Sequence, residues 1–392
     1  MSRESRRRKR EAKQRPLKRK SRWIISTGAI VVIIFSGVVA WQHFKVKRPL
    51  LASVASPSVF FKMPASYAEL CAVNTNDLGK CDIALMNLLC AKGLAGSENL
   101  NVTNCLKALD NIATSVKYNT ERYYYKFREH PEEFNHSEGY FDMMMLATVL
   151  QEDFNIHYNP AHVDIPGQTL EPNKSFYANS QDVFIHGLAH KDGLGTCSSM
   201  PVFYIAIGRR LGYPLKMVKA KGHLFARWED HERSFNIECT SIGFVSHTDD
   251  EYRTWPAPFT PEEEKSDSYL KSLTPVQELT VFLSIRGFCF GASGDLKKSL
   301  GAFAQAFYKE PQSIAYQKLF ARAEREVYKA GLLPKPAELQ YALRKLELPN
   351  GPMHDHFAQE KALIEARNVP GANFDDLETD LLALKAEMAL YQ

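Results

Sequence analysis

Three residue types that can break an amide bond follow one another in this chain: Cys197, His223 and Glu238. A thiol is the nucleophile of the set. An imidazole can take the thiol proton and later return it to a leaving amine. A carboxylate beside the imidazole fixes its tautomer and stabilises the imidazolium. Together they support acyl transfer through a thioester, if the chain brings them into one place.

The elements around them are arranged to do so. Cys197 stands in "GTCSSMPVFYIAIGRRLGYP". Thr196 is a capping residue type, Pro201 suits a first turn, and Val202, Ile205, Ala206 and Leu211 keep helical spacing. Gly212 followed by Pro214 stops the helix. The cysteine therefore lies at a helix N-terminus, where backbone N–H groups favour a thiolate and can receive an oxyanion. "LKMVKAK", "HLFARWE" and "SFNIECT" then read as strands. Leu224, Ala226 and Trp228 share one face of the second, and His223, Phe225 and Arg227 the other. A hairpin centred between Asp230 and His231 pairs Leu224 with Ile237, Ala226 with Phe235, and His223 with Glu238. Asn236, two positions earlier on the same face, is a second candidate for the third role.

The flanks differ in character. Residues 1–48 hold 15 Lys/Arg and two acids, and the remainder holds 34 Lys/Arg against 43 Asp/Glu. A mildly acidic body argues against nucleic acid as a partner. "WIISTGAIVVIIFSGVVAWQ", Trp23 to Gln42, has no charged residue and would span about 30 Å as a helix. Tryptophans stand near both ends, and the preceding basic run places the N-terminus in the cytoplasm. The expectation is a single-pass membrane protein whose bulk is extracytoplasmic; a cleaved signal peptide ending near Val38–Ala40 is the rival. Cys71, Cys81, Cys90 and Cys105 lack the short steps of a zinc site and read as two disulfides, with buried free thiols as the alternative. No loop is rich enough in carboxylates to require calcium; no metal and no cofactor are expected.

At these residues the chain resembles the transglutaminase-like superfamily, whose members share a papain-like Cys–His–Asp arrangement. The matching stretches are Gly195-Thr196-Cys197, Leu211-Gly212-Tyr213-Pro214, Gly222-His223 and Glu238-Cys239-Thr240. "LDNIATSV", "FIHGL", "GRRLGYPL" and "KGHLFARW" are similar to a bacterial group that adds helices before this core and a tetratricopeptide-like region after it. Glu238 departs from the aspartate of many relatives. In the C-terminal part, Leu283, Gly287, the Gly294-Asp295 turn, Leu300, Phe303, Ala306 and Pro311 look like one tetratricopeptide helix pair, with a second expected at Ala315–Ala330.

The resulting expectation is an α+β fold. Its papain/transglutaminase-like core packs the helix bearing Cys197 on an antiparallel sheet, with helical flanking regions and one preceding transmembrane helix. The divisions are a basic tail (1–22), a membrane helix (23–42), a stalk (43–66), a helical region with the cysteine cluster (67–130), the core (131–260), tetratricopeptide-like helices (261–333) and a helical tail (334–392). The function expected is acyl transfer from a protein or peptide amide, ending in hydrolysis or transamidation. The alternative is a scaffold without catalysis, with a peptide in the groove and a protein partner on the C-terminal helices. A third reading has Cys197 bridged to Cys239 or to another cysteine.

Overall fold

The computed structural model describes residues 61–163, 174–189 and 193–332. The basic tail, the Trp23–Gln42 segment, most of the stalk and the 334–392 tail lie outside the described residues. Among the described residues no helix is long and apolar enough to cross a membrane.

Capped helices build the first layer. Ser66 caps α1, Tyr67–Ala72, by accepting from Glu69 N, and Asp82 caps α2, Ile83–Ala91, by accepting from Ala84 N. In α2 every residue except Leu85 is buried. In α3, Val102–Glu129, Leu109, Ile112 and Val116 form a buried stripe at helical spacing and Leu106 packs against the core. Ser137 caps α4, Glu138–Thr148, and the chain continues into a single π turn, Val149–Asp153. That turn aims Gln151 inward. Its Nε2 donates to Tyr204 Oη and Ser241 O, and its Oε1 accepts from Gly243 N at 2.7 Å. A π turn often marks such a local re-aiming of side chains.

The four N-terminal cysteines correct the disulfide expectation. All are free thiols, as are Cys197, Cys239 and Cys289. Cys90 and Cys105 are buried in the main core, and Cys71 and Cys81 pack against it. They serve as small apolar side chains between helices. The bridge from Cys197 to Cys239 is likewise not formed; Cys239 Sγ points at the Ile237 carbonyl.

A short parallel pair, β1 (His157–Tyr158) and β2 (Leu194–Gly195), sits on either side of α5 (Ser180–Val183) in sequence and leads directly to Cys197. The central helix, α6 (Met200–Arg210), is buried from Met200 to Gly208. A helix that is apolar all round belongs inside a domain rather than on its surface. It packs against the three-stranded antiparallel sheet β3 (Leu215–Ala220), β4 (His223–Glu229) and β5 (Ser234–Ile237). β3 and β4 are joined by Lys221-Gly222, and Gly222 takes φ 80°, a conformation glycine adopts without strain.

The pairing of β4 with β5 corrects the expected register. Ala226 faces Ile237 and Trp228 faces Phe235, a turn centre one residue later than expected. Asp230 sets it. Its Oδ1 accepts from Glu232 N and Arg233 N, and its Oδ2 accepts from Trp228 Nε1. The side chain closes a local turn of its own, which lengthens the loop to four residues. Because the shift is even, each strand keeps its faces.

The second face of the sheet is also covered. Val218, Ala220 and Phe225 pack with Tyr252, Tyr269 and Leu270 in a separate cluster. Tyr252 belongs to α7, Asp249–Thr254, which like α8, Pro261–Ser266, starts with a complete capping box. Leu270 N donates to Lys219 O and Leu273 N to Met217 O, so this segment shields the free edge of β3.

Helices α9 (Pro275–Ser293) and α10 (Leu296–Lys309) form an antiparallel hairpin turned at Gly294, φ 82°, with Asp295 capping α10. A Cβ at Gly287 would stand 2.7 Å from the Phe303 ring, so glycine lets the two helices approach. The expected second pair is a single helix, α11 (Ile314–Lys329), whose Tyr316, Phe320, Ala323 and Val327 are buried against its neighbours. The spacing of those four residues serves one apolar stripe, and no turn residues interrupt it.

Candidate active site

Cys197 lies in the turn that opens α6. Thr196 O accepts from Ser199 N and Met200 N, the first bonds of the helix. Thr196 Oγ1 and Ser199 Oγ both donate to Asp182 O, tying the turn to α5. Gly195 is dictated by the space available. A Cβ there would lie 2.7 Å from Leu188 Cδ2 and 2.9 Å from Met200 Cγ. The Gly-Thr-Cys stretch is thus a tightly packed platform for the thiol, and Cys197 itself is 8% exposed.

His223 opens β4, immediately after the Gly222 turn, and is 6% exposed. Its Nε2 lies 2.8 Å from Glu238 Oε2. The Cys197 thiol is the other group acting on the ring. With Nε2 engaged by the carboxylate, Nδ1 is the ring nitrogen available to the thiol. Burial works to lower the imidazole pKa, but hydrogen bonding to Cys197, then to Glu238, and the charges of both hold it well above the ordinary 6.5.

Glu238 lies one residue past β5 and is 3% exposed. In the observed register it is not directly opposite His223; its side chain reaches the imidazole diagonally. Every donor it needs is supplied. Oε2 accepts from His223 and from Tyr252 Oη at 2.8 Å, and Oε1 accepts from the backbone N and hydroxyl of Thr240. Burial alone would raise this carboxyl. The His223 hydrogen bond and charge, followed by Thr240, outweigh it and hold Glu238 below the ordinary 4.5.

Asn236 is placed elsewhere. Its Oδ1 accepts from Arg227 Nε at 2.7 Å, and its Nδ2 donates to His247 O and Asp249 Oδ1. Arg227 also reaches Leu270 O and Asp249. This network pins the α7 segment to the sheet. The structure therefore brings Cys197, His223 and Glu238 together and leaves Asn236 in a supporting layer.

Three aromatic residues near the site escape sequence reasoning. Tyr252 stacks on Phe225 and donates to Glu238, and Trp255 lies edge-on to His223 with ring centroids 4.7 Å apart. Tyr158 on β1 is close enough that Cys197 and Glu238, after burial, push its hydroxyl upward. None of them stands in a local pattern that points to the triad. Only the capping box "TDDEYRT" marks where α7 begins.

Cys197 and His223 border a cavity of about 740 Å³. Its size is in the range that holds a small ligand or a peptide segment. Residues of α9 and α11, including Phe288 and Tyr316, also line it. Among the described residues no group of three or more His, Cys, Asp or Glu is placed to hold a metal ion.

Residues 104–283 match the family model described as the transglutaminase-like superfamily. The matched span runs from early α3 into α9 and contains Cys197, His223 and Glu238. No curated protein and no solved structure is matched.

Proposed function

We propose that the chain is a membrane-anchored cysteine enzyme whose extracytoplasmic body acts on amide or peptide bonds by acyl transfer. One observation carries the reading: a buried imidazole lies between a thiol and a carboxylate that accepts three further hydrogen bonds. In the proposed cycle His223 takes the Cys197 proton, and the sulfur attacks the carbonyl carbon. The C–N bond of the tetrahedral intermediate breaks as His223 returns that proton to the amine. Water or a second amine then attacks the thioester, and the Cys197 thiol is restored. Glu238 orients His223 and stabilises its cation, and the Cys197 backbone N–H faces the developing oxyanion. The Trp23–Gln42 segment is the proposed anchor.

A specific observation also favours the scaffold reading. Cys197 and His223 are both more than nine-tenths buried, and the cavity above them is walled by the C-terminal helices. A groove of this kind can hold a peptide without turnover.

Alkylation of Cys197 separates the two. The full chain in detergent is treated with iodoacetamide, the site of modification is located by mass spectrometry, and His223→Ala is run beside it. An enzyme site shows rapid modification of Cys197 that slows at least tenfold in the variant. Modification indifferent to His223 favours the scaffold.

A further inference from the structure

The cavity over the thiol has a basic wall, although the body of the protein is net acidic. Lys318, Arg322, Arg325 and Lys329 follow one another along α11 at steps of four, three and four residues, so they share one helix face. All four border the same cavity as Cys197 and His223. Lys219 and Lys221, at the end of β3, join them.

The acids of that cavity do not balance them. Among the described residues, only Glu263, Asp267 and Glu326 border it. Both Glu263 oxygens lie 3.0 Å from Lys221 Nζ, and one is 4.0 Å from Lys318. Glu326 pairs with Arg322 at 3.0 Å. Asp267 accepts from Ser313 Oγ and Ala315 N, which anchors the start of α11. Lys219 is buried over the rings of Tyr269 and Tyr316, with Glu310 and Asp267 as its counter-charges. Arg325 and Lys329 are exposed and make no ion pair among the described residues. A surplus of positive charge is thus concentrated along the cavity that the thiol also borders. A field opposite in sign to the rest of the body selects ligands by charge.

We infer that the site takes an acidic substrate, a peptide whose carboxylates lie along α11 while its scissile amide reaches Cys197. The inference rests on the proposed nucleophile for its chemistry, and its test keeps the two apart. Iodoacetate and iodoacetamide place the same reactive carbon at the thiol, one with a carboxylate and one without. Their rate ratio at Cys197 in the full chain is compared with their ratio at glutathione. For scale, a unit charge at a separation of about 10 Å changes a local anion concentration about twofold in water. The ratio at Cys197 is expected to exceed that of glutathione by several-fold and to fall about fourfold in Arg325→Gln/Lys329→Gln. High salt should produce a similar fall. Lys107→Gln, an exposed change on α3, controls for net charge and should not move it.

A ratio equal to that of glutathione, or one unmoved by the double variant, overturns the inference. If Cys197 is inert to both reagents, the nucleophile reading fails by itself, and binding decides the charge question. Fluorescein-labelled oligoglutamate and oligoglutamine peptides are titrated against Cys197→Ala protein by anisotropy. Preference for the acidic peptide that is lost in the double variant supports the basic wall; equal binding refutes it.

Discussion

Glu238→Gln is the most informative single change. It keeps shape and removes charge. The carboxylate accepts from His223 Nε2 and Tyr252 Oη on one oxygen and from Thr240 on the other. A Gln amide can keep its oxygen toward Thr240, whose backbone N–H cannot reverse. Its NH2 then faces Tyr252, whose hydroxyl can rotate to accept, and His223, whose Nε2 can accept only when unprotonated. The imidazole is thereby driven to carry its proton on Nδ1, toward the thiol, the wrong tautomer for a base. A hydrogen bond to a charged partner is worth about 1.5–3 kcal/mol, so the imidazolium loses about ten- to hundredfold in population. Iodoacetamide modification of Cys197, followed by mass spectrometry at neutral pH, should slow by that factor. Folding loses roughly 2 kcal/mol, and the melting temperature falls about 4–8 °C. A variant that loses this stability yet alkylates at the wild-type rate would refute the assigned role of Glu238.

Three further outcomes are expected. The His223–Glu238 pair gives the folded state a pH-dependent term of definite sign. His223 is raised, so its contribution is complete below the ordinary 6.5 and is lost as pH rises through the raised value; Glu238 is lowered, so its contribution is complete above the ordinary 4.5 and is lost as pH falls through the lowered value. The melting temperature of the wild type relative to His223→Ala should therefore be greatest between these two limits and decline on both sides, and a flat difference across that range would contradict the pair. Tyr252→Phe keeps the ring on Phe225 and removes one donor from Glu238; alkylation of Cys197 should slow about three- to tenfold with a loss of about 1–2 kcal/mol in urea unfolding. Asn236→Ala strips partners from Arg227 and Asp249, so it should destabilise by about 1–3 kcal/mol while Cys197 keeps most of its His223-dependent reactivity; collapse of that reactivity without loss of stability would move Asn236 into the triad.

The helices and the two ends of the triad could be read from local chemistry. Gly212 and Gly294 end helices because they adopt positive φ. Period-two patterning placed His223 and Phe225 on one face of a strand and Leu224 and Ala226 on the other, and both faces are seen buried, each in its own cluster. The hairpin register was not legible. Pattern restricts it only to even shifts, and the choice among them was made by Asp230, whose carboxylate folds back on its own turn and on Trp228. The single helix Ile314–Lys329 was likewise hidden, because a tetratricopeptide-like spacing does not state how many helices carry it.

Residue types and periodicity, which act over one turn or one strand, determined where a candidate nucleophile, base and acid stand in the chain and which elements carry them. Tertiary structure decided the rest. It set Glu238 against His223 across a diagonal, sent Asn236 to Arg227, brought Tyr252 and Trp255 over the imidazole, and placed the basic residues of α11 along the cavity that Cys197 borders. Each of these depends on contacts between segments far apart in sequence, where packing and charge, not local pattern, select the partner.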